Sequence, residues 1–151
     1  MKSFKSIVEQ FEKICNAHKQ VNSFTFGDIF EVDLSNEVDF AKAHLIEQPS
    51  TINSRDFVFT FDLLVMDIVS ADGSNETDVL NNTFLIMADI YREFKNGLGR
   101  NTPIIDSRSY AINDSVTCEP FTDRFENLLA GWKGTISITV PSHINACNSP
   151  I

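Results

Sequence analysis

No stretch of the sequence approaches the ~20 consecutive apolar residues that cross a bilayer. The N-terminal segment alternates charged with apolar residues and lacks the apolar centre of a signal peptide. A soluble protein kept inside a cell is therefore expected, with no membrane partner. Cysteine is scarce: Cys15, Cys118 and Cys147 form an odd set without paired spacing, which argues against a disulfide framework or a zinc knuckle and fits reduced thiols in a cytosolic setting. Basic residues are outnumbered, 12 Lys and Arg against 21 Asp and Glu for a formal net charge of -9, and they are scattered. Counterion release on nucleic acid needs clustered cations, so no sequence-specific nucleic-acid binding is expected. The acidity is read as keeping crowded identical chains soluble.

The motifs of catalysis and metal binding are missing too. His18, His44 and His143 lie far apart, and neither His-x-x-x-His nor Cys-x-x-Cys occurs, so each histidine is read as structural or superficial and no metal is expected. The run Asp72-Gly73-Ser74-Asn75-Glu76-Thr77-Asp78 lacks the alternating ligands and the final bidentate Glu of a calcium loop; a turn opening a helix is the simpler reading. Gly97-Leu98-Gly99 lacks the Gly-Lys-Ser/Thr ending of a phosphate loop. A nucleophile, base and orienter drawn from Cys118, His143 and Asp114 would need proximity that nothing in the sequence marks. No catalytic residue, no cofactor and no enzymatic activity are therefore expected. Asn-x-Ser/Thr triplets at Asn75, Asn81 and Asn113 are read as coincidences in a chain that is not secreted.

What is present is apolar and patterned. The chain has 151 residues, 42% of them hydrophobic, with 13 Phe but only 6 Gly and 5 Pro, the composition of a packed domain and not of a disordered or fibrous one. Folding at that length buries about 68 to 70% of the unfolded surface. One domain over residues 1–141 is expected, with residues 142–151 a loose tail. Phe4, Ile7, Val8, Phe11, Ile14, Cys15 and His18 recur at helical spacing and predict a helix over residues 3–20. Phe24, Phe26, Phe30, Val32 and Leu34, the turn Ser35-Asn36-Glu37, and the run Val38 to Ile46 predict a hairpin. Residues 57–68 predict the strongest strand, with Phe57, Phe59, Phe61, Leu63 and Val65 on one side and Val58, Leu64 and Met66 among the residues of the other. A strand apolar on both sides belongs at the centre of a sheet or under a neighbouring subunit.

A second helix is predicted over residues 77–94, with Leu80, Phe84, Met87, Tyr91 and Phe94 as its apolar seam and Asn75 and Asp78 as its cap. A strand over residues 108–118 follows, then a short helix or irregular crossing over residues 122–130. In the last strand, residues 133–140, Gly134, Ile136, Ile138 and Val140 share a face with the only tryptophan, Trp132, at its entrance. The order predicts an α+β fold with a mainly antiparallel sheet.

The segment Phe26-Gly27-Asp28-Ile29-Phe30-Glu31-Val32-Asp33, the aromatic strand ending Leu64-Val65-Met66-Asp67, the acidic loop from Asp72 and the stretch from Tyr110 to Trp132 resemble the ring-forming neck, tail-terminator and tail-completion subunits of tailed bacteriophages, most of all those of crAss-like short-tailed phages. The resemblance implies a curved sheet flanked by two helices, with a projecting hairpin that reaches toward a neighbour. It implies a virion structural protein, made in the host cytoplasm, that forms a homomeric ring of sixfold or twelvefold symmetry. Such a ring meets other neck, portal or tail proteins and lets DNA pass through its channel. Phe24, Phe26, Phe30, Val32 and Phe40 are the expected interface, and Phe57, Phe59, Phe61 and Trp132 the expected core. The rivals are a stand-alone small-molecule-binding or enzymatic domain and an interaction module that uses the hairpin to add a strand to a partner.

Overall fold

The structure, a computed structural model, describes residues 4–27, 40–70, 72–96, 111–122 and 129–141. Phe4–Ala17 forms α1, Ser23–Phe26 β1, Lys42–Ile52 β2 and Asp56–Ile68 β3. Glu76–Asn96 forms α2, Ala111–Ile112 β4, Cys118–Thr122 β5 and Leu129–Pro141 β6. The fold is α+β: two helices and an open six-stranded sheet in the order β1, β2, β3, β6, with β4 and β5 both along the far edge of β6. Every pairing is antiparallel except β1 with β2.

Partners opposite one another in a ladder point to the same side of the sheet. The register of β3 with β2 and β6 therefore puts Phe59, Phe61, Leu63 and Val65 on one face with Ala43 and Leu45, and with Trp132, Gly134, Ile136, Ile138 and Val140. Both helices cover this face. α1 supplies Ile7, Phe11, Ile14 and Cys15, and α2 supplies Ile86, Met87, Ile90 and Phe94. The Phe11 ring lies 5.5 Å from that of Phe61 and 4.3 Å from that of Phe94, so one side chain joins α1, the sheet and α2. His18 ends α1, its backbone N–H reaching the carbonyls of Ile14 and Cys15. The His18 Nδ1 accepts from the Gln20 N–H, which leaves Nε2 to donate to Asp89 on α2 at 3.0 Å.

The opposite face is apolar only at one end, where Phe40, Leu64, Met66, Phe121 and Leu129 cluster. Beside them Lys42, 1% exposed, holds its ammonium 5.3 Å from the centre of the Phe40 ring. Farther along, the same face is a half-exposed ladder of polar groups: Gln48 and Thr135 both donate to Asp62, and the Thr60 and Ser137 hydroxyls lie 3.3 Å apart. The two-sided apolar character predicted for β3 thus applies to its inner half.

Three sequence expectations are corrected. The hairpin expected over Phe24 to Ile46 is not built from its flanks: Ser23–Phe26 runs parallel to Lys42–Leu45. Alternation identifies a strand but carries no information on direction, and the expected tip, residues 28–39, lies outside the described residues. The hairpin that is present joins β2 to β3 through Asn53, Ser54 and Arg55. The strand expected over residues 108–118 is divided into β4 and β5, because Asn113, Asp114 and Ser115 leave the ladder. The last strand begins at Leu129, so Trp132 sits inside it and not at its entrance. Residues 123–128 and 142–151 lie outside the described residues.

Two measurements test this packing. At Gly131 an added Cβ would fall on the backbone carbonyl of Val65, whereas at Gly134 it meets the Val116 side chain at 2.8 Å. Gly131→Ala should therefore cost about 2 to 3 kcal/mol in urea unfolding and Gly134→Ala clearly less, since a side chain yields more easily than a strand. The Cys15 thiol, 0% exposed, is pushed up to about 12 by burial. The unfolded thiol ionises near ~8.5, so the folded state holds its proton over the window between these values and loses stability as pH rises through it. The slope approaches about 1.4 kcal/mol per pH unit. Cys15→Ala should flatten that alkaline decline, measured against the parent.

Candidate functional site

Among the described residues two exposed apolar regions stand apart toward opposite edges of the sheet. The first is the outer end of the β2–β3 hairpin. Asn53 closes the turn, its N–H bonding the Asp56 carbonyl at 2.9 Å and its side-chain amide donating to the Asp56 carboxylate at 2.7 Å. Ile52, 83% exposed, sits beside this turn and pairs with Phe57. Behind it the rings of Phe57 and Phe59 lie 6.1 Å apart, and Phe4, 37% exposed, packs 5.8 Å from Phe59. The β2 edge is irregular here: the register shifts between Gln48 and Thr51, across Pro49. Proline has no N–H to offer and a bulge twists an edge away from strand addition.

The second region is a cleft of about 340 Å³ between α2 and the segment from Asp114 to Cys118, with Phe84, Met87, Tyr91 and Val116 among its walls. The cleft exists because residues 113–117 pull away from β6. Asn113 holds the departure, its backbone N–H bonding the Ser137 carbonyl while its side-chain oxygen accepts from the Ser137 N–H. Tyr91 on α2 donates its hydroxyl to the Asn113 carbonyl at 2.6 Å, and Lys95 meets Asp114 at 2.8 Å. At the other end Trp132 donates its indole N–H to the Leu80 carbonyl at 2.8 Å and meets Phe84 edge-on with centroids 5.1 Å apart. Phe84 and its neighbour Leu85 remain 44% and 51% exposed.

The cleft brings together two of the three residues weighed as a nucleophilic set, Cys118 and Asp114; His143 lies outside the described residues. Their electrostatics run against that chemistry. Burial raises the Cys118 thiol above its ordinary range, the opposite of an activated thiolate. The Lys95 ammonium holds Asp114 low and is itself raised by it, so the carboxylate is engaged as an ion-pair partner. Among the described residues no group of three or more His, Cys, Asp and Glu gathers as a metal site. The acidic loop before α2 serves the helix: the Asp72 carboxylate, held at about 2, accepts from the Ser74 N–H and the Ser70 hydroxyl, while the Asn75 side chain accepts from Ser70.

Of the residues expected at an interface, Phe24 and Phe26 are half-buried against the main core, and Phe40 is 6% exposed among residues of its own chain. Phe30 and Val32 lie outside the described residues. Of the expected core, Phe61 is fully buried, Phe59 and Trp132 are half-buried against the main cluster, and Phe57 is half-buried in the aromatic patch behind Ile52. Phe84, expected in the apolar seam of the second helix, is instead 44% exposed, and Ile52 and Leu85 were not singled out by pattern. Their only signals are an isolated isoleucine in the polar run from Ser50 to Asp56, and an apolar Leu85 off the helical seam. No family model matches this chain, and no curated protein matches it.

Trp132→Ala should cost about 3 kcal/mol, for the loss of a large packed aromatic. Trp132→Phe keeps the packing and removes the indole donor; it should cost about 1 kcal/mol. Lys133→Ala, whose ammonium lies only 3.8 Å from an exposed Glu119, should change stability by no more than about 0.5 kcal/mol. Denaturant unfolding of the three variants checks the ordering.

Proposed function

We propose that this protein is a structural subunit that joins identical copies into a ring, in the neck or tail of a tailed bacteriophage, and that it performs no catalysis. One observation carries the reading. The subunit exposes two unlike apolar regions, the Ile52 tip on β2 and the Phe84–Leu85 flank on α2 beside the cleft, with β3 and β6 lying between β2 and the β4–β5 edge. A pair of unlike patches makes a head-to-tail contact, and such contacts close into rings when the rotation between neighbours closes. A twofold dimer would need one self-complementary patch instead. The raised thiol of Cys118 and the ion-paired Asp114 support the non-catalytic part of the reading.

In that role the formal net charge of -9 lets DNA slide through an axial channel without adhering, since an acidic wall repels phosphate. Portal, neck or tail proteins are the partners above and below. The cleft on its own favours one rival, a domain that binds a small apolar ligand, because its volume lies at the low end of ligand pockets, roughly 300 to 1,000 Å³. Electron microscopy of the purified protein, with sizing chromatography, separates the two. Rings with a central opening are expected, each contact burying about 2,000 Å² or more. A monomer at every concentration, absent also from virions, would sink the ring reading.

A further inference from the structure

The geometry points to a ligand site: the cleft between α2 and residues 113–118 binds a small apolar carboxylate, with its hydrocarbon part against Phe84, Met87 and Val116 and its charged end on Arg92. This goes beyond the ring reading and stands without it. The walls are set before any ligand arrives. Met87 is 2% exposed and belongs to the main core, and the Val116 side chain lies over Gly134, in the space a Cβ would take. Tyr91 fastens α2 to Asn113 at the start of the segment, and Trp132 braces Phe84. A cleft that is already ordered loses little conformational entropy on binding.

Charge selects the class of ligand. Lys95 and Asp114 pair at 2.8 Å and cancel, and Asp89, one turn before Arg92 on α2, is engaged by His18. Arg92 lines the cleft, is exposed, and has no hydrogen-bond or ion-pair partner among the described residues. An apolar wall and an uncompensated guanidinium therefore stand side by side in a chain of formal net charge -9. A guanidinium offers two parallel N–H donors to a carboxylate. A cation is repelled there, and a neutral apolar molecule leaves the donors without an acceptor.

Trp132, the only tryptophan, meets Phe84 edge-on with centroids 5.1 Å apart, so its emission reports what enters the cleft. Titrating the full chain with octanoate, below its micelle-forming concentration, should shift that emission along a saturable curve. Octanol on the parent and octanoate on Arg92→Gln should each bind about tenfold more weakly or worse, since each lacks the charge-assisted pair. Ala88→Leu, which fills the cleft from α2, should abolish the response while circular dichroism shows the parent's helix content; Arg92→Gln, at an exposed position, keeps the test decisive if Ala88→Leu disturbs the fold. No saturable shift with octanoate, equal affinity for octanol, or folded variants that bind like the parent overturns the proposal. Microscopy of the same samples keeps the two readings apart. Rings without octanoate binding overturn the ligand site alone, and octanoate binding without rings overturns the ring alone.

Discussion

All thirteen residues of β3 face a partner on β6, from Asp56 opposite Pro141 to Ile68 opposite Leu129, and most of the other edge of β3 is taken by β2. Every other placement depends on this doubly paired strand. Because its neighbours satisfy its backbone groups on both sides, β3 can be buried at Phe61 and from Leu63 to Met66 without orphaned donors. Its odd residues then set which side the helices cover. Phe61 receives Phe11 of α1, and Ile136 opposite it and Ile138 opposite Phe59 continue the same apolar face.

The same ladder generates the functional geography. β6 has only one edge left after pairing with β3, and two short strands share it, β4 at Ile138 and Thr139 and β5 from Ala130 to Gly134. Between them the chain must bridge Thr135 to Ser137 without a strand. Asn113 solves this by bonding Ser137 with its own backbone and side chain, and the bridge bows outward against α2 to leave the cleft. Gly134 belongs to the same arrangement, since its missing Cβ admits the Val116 methyl. At the opposite edge β1 pairs with β2 only through Leu45, so the outer half of β2 and its turn project with Ile52 exposed. A sheet closed at neither edge, irregular at one and bridged at the other, is what gives the subunit two unlike surfaces.

The elements with strong periodicity were legible without tertiary information. Ile7, Phe11, Ile14 and Cys15 recur at three and four residues and define α1. Leu80, Phe84, Met87, Tyr91 and Phe94 do the same within α2, although Phe84 ends up 44% exposed, and apolar residues at every second position from Phe57 to Val65 mark β3. A helix or a half-buried strand is a local object whose apolar spacing is written in neighbouring residues, and the α+β class followed from the order of such objects. The site was far less legible. Cys118, Asp114 and Tyr91 are ordinary residues of ordinary segments, and only the departure of residues 113–117 from β6 places them around one cleft.

By itself the sequence determined the helices, the central strand, the apolar face of β6 and the absence of any metal-ligand or nucleophile spacing, because each depends on residues close together in the chain. Tertiary structure alone decided the rest. Whether β1 runs parallel or antiparallel to β2 is set by the path of the intervening chain and by competition for the β2 edge, neither of which alternation encodes. Where Trp132 lies in its strand is set by the register with Val65, and Ile52 is left exposed on a part of β2 that β1 does not reach. Pairing direction, register and exposure are relations between distant segments, and a one-dimensional pattern holds only half of each relation.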